Sequence, residues 1–188
     1  AGSASLRAQI LEGAPADVIA TANRAVMDDL TEGGLVTGAP AILARNRLVV
    51  ALAPGNPAGI EGLDDLADPE PFVGLCASEV PCGDLADRTA AAAGIRIQAD
   101  TREPDVRTLL TKIEAGELDA GLVYHTDVEA SADGVTAIEV PADLAAVTDY
   151  PIALLADATD RVATEAFLAF LAGSDGRTIL ADHGFELP

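Results

Sequence analysis

Tryptophan is absent from this chain, the aromatic side chains amount to four Phe and two Tyr, and there is a single Met. A core without large rings has to be assembled from Ala, Val, Leu and Ile, which fits layered α/β packing. No run approaches the roughly 20 apolar residues that span a bilayer. No signal-peptide pattern lies within the chain, which leaves room for one removed ahead of Ala1. Basic residues are scarce: 11 Lys and Arg face 31 Asp and Glu, for a net charge of −20. Too few cations remain to assemble a basic face, which excludes nucleic acid and anionic lipid surfaces as partners. The acidity itself fits solubility.

Catalytic equipment is equally thin. There is no G-x-S-x-G elbow, and His125 and His183 are the only histidines. No glycine-rich phosphate loop carries a lysine, and the one lysine, Lys112, falls in mid-helix. These gaps favour a binding protein over an enzyme. Cys76 and Cys82 are the only cysteines. Their spacing is open to a bridge across a loop or to two unrelated buried thiols, and it makes a poor zinc site.

What is present is best read outward from residues 103–127, EPDVRTLLTKIEAGELDAGLVYHTD. Val106, Leu109, Leu110 and Ile113 recur at helical spacing and predict an amphipathic helix over 104–115. Pro104 suits its first turn and Gly116 the position just past its end. Ala120, Gly121, Leu122 and Val123 then read as a buried parallel strand that delivers Tyr124 to its carboxyl end. Ligands of open α/β sheets sit at such ends, beside helix N-termini. The amides near Asp105 and Val106, together with the Tyr124 hydroxyl, are neutral donors suited to an anion.

The 188 residues suffice for one sizeable core or two small lobes. In chain order, a helix capped by Ser3 and ended by Gly13 precedes a strand over 16–22 and a helix over 24–31 closed by Gly33 and Gly34. Strands are expected at 48–54, in FVGLCA and IRIQA, in VTAIEV within a looser stretch over 129–145, and at 150–157. Helices are expected near 63–67, over 84–93, over 160–172 and over 174–183. Such alternation predicts parallel sheets with helices on both faces. Three helix starts, at Gly2-Ser3, Pro81-Cys82-Gly83 and Pro104-Asp105-Val106, expose unpaired amides at the positive end of a helix dipole.

The succession GSASLRAQILEGAPADVIATA, RLVVALAP, VPCG, DVRTLLTKIEAGELDAGLVYHTD, YPIAL and ILADHGFELP resembles the periplasmic molybdate-binding proteins of ABC importers. It covers nearly the whole chain in order. The resemblance implies an α/β, two-lobed periplasmic-binding-protein fold, each lobe a mostly parallel sheet flanked by helices. Lobe 1 would comprise 1–49 plus 146–188 and lobe 2 would comprise 50–145, with LVVALAP and YPIALLAD as hinge crossings. That family begins with a strand, a serine-bearing loop and a helix ahead of the residue matching Gly2, so lobe 1 is expected to lack its N-terminal strand–helix segment here.

The family's oxyanion ligands carry over to Ser3 (hydroxyl and amide), Cys82 (amide), Val106 (amide) and Tyr124 (hydroxyl). The Cys82 position is usually a small residue such as Ala, an exchange that a backbone ligand tolerates. The implied function is capture of molybdate or tungstate outside the cytoplasm, in the periplasm or anchored to the outer face of the membrane. The implied partner is the membrane permease of an ABC importer, for a monomer with no cofactor, no direct cation ligands and no catalytic residues. An extracytoplasmic location permits oxidation, so a Cys76–Cys82 disulfide is expected. The alternatives are a binder of sulfate or another small anion, the ligand-sensing domain of a transcription regulator, and an enzyme on the same fold.

Overall fold

Side-chain caps write several of the helix starts. In the computed structural model, which describes residues 1–131 and 134–188, α1 (Ser3–Leu11), β1 (Val18–Ala20) and α2 (Arg24–Glu32) lead into the long strand β2 (Val36–Leu52). A 3-10 turn (Asp64–Ala67) precedes β3 (Val73–Cys76), α3 (Pro81–Ala93), β4 (Thr101–Glu103), α4 (Val106–Glu114), β5 (Ala120–Tyr124), the one-turn α5 (His125–Glu129) and β6 (Thr136–Glu139). The chain closes with β7 (Val147–Leu155), α6 (Arg161–Ala172) and α7 (Ser174–Asp182). The side chains of Asn23, Asp105 and Asp160 each accept an amide from the first turn of α2, α4 and α6, which satisfies donors a helix start leaves open.

Contacts divide the chain, beyond its first two residues, into two compact units: Ser3–Asn46 with Thr148–Pro188, and Arg47–Val147. In the first, the sheet order is β1-β7-β2, and β1 runs antiparallel to β7 with Val18 opposite Leu154. Its core gathers Ile19, Met27, Leu30, Ala153 and Leu155, with Leu6, Ile10, Leu35 and Val36 packed around it. Asp149 joins Arg24 and Arg45 at 2.8 and 3.0 Å. Burial is the largest single influence and would raise its carboxyl, but the hydrogen bonds and charges of the two guanidiniums together outweigh it and hold the carboxyl below the usual range.

In the second unit the strands run β6-β2-β5-β3-β4. The pairs β3/β4 and β3/β5 are parallel, whereas β2 is antiparallel to both β5 and β6. Every residue of β3 and β5 is buried, as strands covered on both faces require. The helices α3 and α4 pack against β3 and β5, and Leu109, Leu110 and Ile113 of α4 have no exposed surface.

Several boundaries depart from the sequence reading for identifiable reasons. α4 begins at Val106, because extended Asp105 (φ −159°) occupies the cap and leaves Pro104 outside the helix. The helix closes as expected, with Gly116 at φ +68°. Ser3 is the first residue of α1, and its hydroxyl accepts the Ala22 amide at 2.9 Å rather than a first-turn amide. IRIQA is not a strand: pairing with β3 starts beyond it, at Thr101, while Asp100 exchanges hydrogen bonds with Val73 at 2.8 Å. Ile97 is buried without ladder partners. β2 begins twelve residues ahead of the expected Leu48, in a half whose Gly38, Pro40, Arg45 and Asn46 hide its strand character. α5 was not foreseen. The looser stretch over 129–145 includes residues 132 and 133, which lie outside the described residues.

One close approach sets how α3 meets the end of β3. A Cβ on Gly83 would lie 1.9 Å from the Ala77 carbonyl oxygen, a backbone atom that cannot swing aside. Gly83→Ala should therefore destabilise the protein by about 3 kcal/mol or more, as overpacking with a forced backbone shift does. Urea unfolding measures it, and a loss below about 0.5 kcal/mol would mean the loop yields freely.

Candidate functional site

Register aligns the carboxyl ends of the parallel strands. Gly74 pairs with both Thr101 and Gly121. Two residues on, Cys76, Glu103 and Val123 therefore share a level, and Tyr124 stands one residue beyond. The chain leaves β3 through a short loop into α3 and leaves β4 through Pro104 and Asp105 into α4. Two helix N-termini thus open at one edge, next to the strand that ends in Tyr124.

The first turn of each helix determines which amides remain available. In α3, Pro81 has no N–H, and the amides of Gly83 and Asp84 turn back to the Val80 carbonyl, both at 3.0 Å. That leaves the Cys82 amide as the donor of the turn. In α4, Thr108 donates to the Asp105 carboxylate at 2.8 Å and Leu109 to the Asp105 carbonyl at 3.2 Å. The Val106 and Arg107 amides, at the first two helical positions, are the remaining donors. Tyr124 is 4% exposed. Of the four residues expected to hold an oxyanion, Cys82, Val106 and Tyr124 occupy this edge of the second unit. Ser3 belongs to the first unit, where it is buried; Ala22, whose amide it accepts, also takes the Thr148 hydroxyl on its carbonyl at 2.7 Å. With its lone pair used on Ala22, the Ser3 hydroxyl keeps a proton to donate.

The loop carrying Cys82 is tied down from three sides. Cys76 and Cys82 are joined by a disulfide with Cα atoms 5.8 Å apart. The Arg102 guanidinium donates to the Cys76 carbonyl (3.1 Å), the Ser78 hydroxyl and the Asp87 carboxylate (both 3.3 Å). The Ala77 amide donates to the Glu103 carbonyl at 2.8 Å. Glu103 is itself a buried carboxylate at the edge, and Lys112 meets it at 2.6 Å. The chain's one lysine therefore neutralises a buried carboxylate at this edge.

Asp127 follows Tyr124 by three residues, within GLVYHTD. Its carboxylate accepts the Tyr124 amide at 3.3 Å across the start of α5. Burial pushes its pKa up to about 6, against the lowering effect of that hydrogen bond and of Arg107. Neither Asp127 nor Arg102 carries a sequence signal of its own, since both act through partners distant in the chain or across a turn. Elsewhere, a groove of about 400 Å³ in the first unit, lined by Thr37, Leu43, Ile152, Leu154, Leu168 and Arg177 among others, contains none of the expected residues. Among the described residues, no group of three or more His, Cys, Asp or Glu could hold a metal ion, and no helix is long and apolar enough to cross a membrane.

The fold is that of periplasmic binding proteins. The periplasmic molybdate-binding protein of Azotobacter vinelandii aligns with a TM-score of 0.84 at 20% identity, covering 100% of this chain and 85% of that one. The sulfate-binding protein SubI of Mycobacterium tuberculosis aligns at 0.80 and 18% identity, covering 98% and 73%. At these identities the likeness is one of fold. Family membership is shown by sequence: residues 1–186 match the bacterial extracellular solute-binding proteins, and the chain belongs to that family. Its relatives include the molybdate-binding protein ModA of Mycobacterium tuberculosis, 37% identical over 188 residues, which are 100% of this chain and 72% of the relative.

The Asp127 carboxyl makes stability depend on pH with a definite sign. The unfolded chain loses this proton near 3.8, and the folded protein keeps it until about 6. The folded state binds more protons in that window, so stability falls as pH rises from about 4 to about 6 and stays lowered above it. Asp127→Asn, whose side-chain carbonyl can still accept the Tyr124 amide, should stabilise the protein at pH 7 by about 1–3 kcal/mol, the upper end being two pH units at about 1.4 kcal/mol each. At pH 4 the gain should vanish. Urea unfolding at both pH values checks this, and an equal gain at both would show that charge is not the cause.

Proposed function

We propose that this protein is the extracytoplasmic solute-binding component of a bacterial importer for molybdate and tungstate. It would capture the tetrahedral dianion with backbone amides and hydroxyls and present it to a membrane permease. The observation that carries this reading is the convergence of the Cys82 and Val106 amides and Tyr124 on one sheet edge, in a chain 37% identical to a molybdate-binding protein over all 188 residues. In this reading the Ser3 hydroxyl and amide are further donors to the oxyanion, and the permease recognises the ligand-bound form. The protein works as a monomer and catalyses no reaction.

The chemistry suits the cargo. A dianion held by neutral dipoles is fixed in geometry and number of hydrogen bonds, yet no full positive charge has to be separated from it on release. The Cys76–Cys82 disulfide fits an oxidising compartment. It also fixes the loop behind the Cys82 amide before the ligand arrives, which lowers the ordering cost of binding.

Calorimetric titration of the full-length protein tests the reading. Molybdate and tungstate, matched in charge, shape and nearly in size, should bind within about tenfold of each other. Sulfate, being smaller, should bind about 100-fold or more weakly, because its oxygens leave donors at stretched distances. Sulfate binding as tight as molybdate would assign the protein to the sulfate-binding branch of the fold instead. Tyr124→Phe keeps the ring's packing and removes one donor to a charged oxygen. It should weaken molybdate binding by about 1–3 kcal/mol with unfolding little changed. An unaltered affinity in the folded variant would make Tyr124 a core residue only.

A further inference from the structure

Asp127 is a half-buried carboxylate set against a residue assigned to the ligand, in a protein whose cargo is a dianion. Its oxygen lies 3.3 Å from the Tyr124 amide nitrogen, so an oxyanion on the Tyr124 hydroxyl sits no farther away than that gap, the length of one tyrosine residue and a further hydrogen bond combined. The Debye length is about 8 Å at physiological salt, but Tyr124 is buried, so salt screens its surroundings less than it screens an exposed pair. The charged groups around it do not cancel the effect. Arg107, the positive group that acts on Asp127, stands exposed on α4. On α5, His125 lies 3.9 Å from Glu129 and 3.6 Å from Glu139 of β6, and Glu139 is in turn held by Arg47 of β2 at 3.1 Å. That neighbourhood is balanced or acidic, and among the described residues no cation forms a salt bridge with Asp127.

We propose that Asp127 is the positioning residue through which pH sets oxyanion affinity. When protonated, it holds the start of α5 and Tyr124 in place without charge. When ionised, it holds them equally but repels the dianion. Binding then takes up a proton in the range where Asp127 titrates, and release into a more alkaline medium is favoured. This rests on the oxyanion reading above and adds to it a specific linkage. The carboxyl's displacement to about 6 places the transition inside the range a bacterial exterior experiences.

The test is calorimetry of sodium molybdate binding to the full-length protein and to Asp127→Asn, from pH 5.5 to 8 at constant ionic strength and in buffers of different ionisation enthalpy. A dianion that raises the Asp127 pKa by about one unit makes the wild-type dissociation constant rise about tenfold across the range. Near pH 6.5 the buffer dependence of the heat should report net proton uptake. Asp127→Asn should bind with one affinity throughout, near the wild-type value at low pH, and without proton uptake. A flat wild-type profile with tight binding, or a variant that keeps the wild-type slope, overturns the linkage and leaves the oxyanion reading standing. Should the variant fail to fold, absence of proton uptake by the wild-type protein overturns the linkage by itself. Failure of both proteins to bind molybdate at any pH overturns the oxyanion reading and the linkage together.

Discussion

An α-helix cannot satisfy the amides of its own first turn, and the second unit is built around the consequences of that constraint. In α3 and α4 some of these amides are bonded back, to the Val80 carbonyl in one helix and to Asp105 in the other. What remains open is the Cys82 amide on one side and the Val106 and Arg107 amides on the other, at one edge of a parallel sheet. Gly83, the Cys76–Cys82 bridge and the Arg102 guanidinium hold the α3 start against the end of β3. Each removes freedom from the loop that carries the Cys82 amide, which in the oxyanion reading lowers the ordering cost of binding.

Much of this was legible in the sequence, where local chemistry and long-range packing agree. The 3.6-residue period of Val106, Leu109, Leu110 and Ile113, followed by the Ala120–Val123 run, marks α4 and β5 unambiguously, because both bury the face their pattern displays. Pro81 and Asp105 mark helix starts, and so locate the amides that follow them. The sequence reading failed where the partner, not the segment, decides. IRIQA alternates as a strand does, but β3 pairs only from Thr101 onward. The first half of β2 contains Gly38 and Pro40 and is a strand through pairing rather than propensity. The clamp made by Arg102 and the buried Glu103–Lys112 pair join residues whose side chains reveal nothing singly.

In the oxyanion reading, an acidic protein that takes up a dianion has to solve a local problem rather than a global one. The net charge of −20 acts at long range and is screened by salt. The carboxylates that matter are therefore the ones at the edge itself. Glu103 is paired with Lys112. Among the described residues Asp127 forms no salt bridge, and burial lifts its pKa to about 6 against the pull of Arg107, so protonation neutralises it only below that pH.

The most direct measurement is an anomalous difference map at the molybdenum absorption edge, from crystals of the full-length protein grown with molybdate. The oxyanion reading places a single strong peak at the carboxyl edge of the second unit, its oxygens within hydrogen-bonding distance of the Cys82 and Val106 amide nitrogens and the Tyr124 hydroxyl. A peak among arginine side chains, in the groove of the first unit, or anywhere that leaves those three donors unengaged would contradict it.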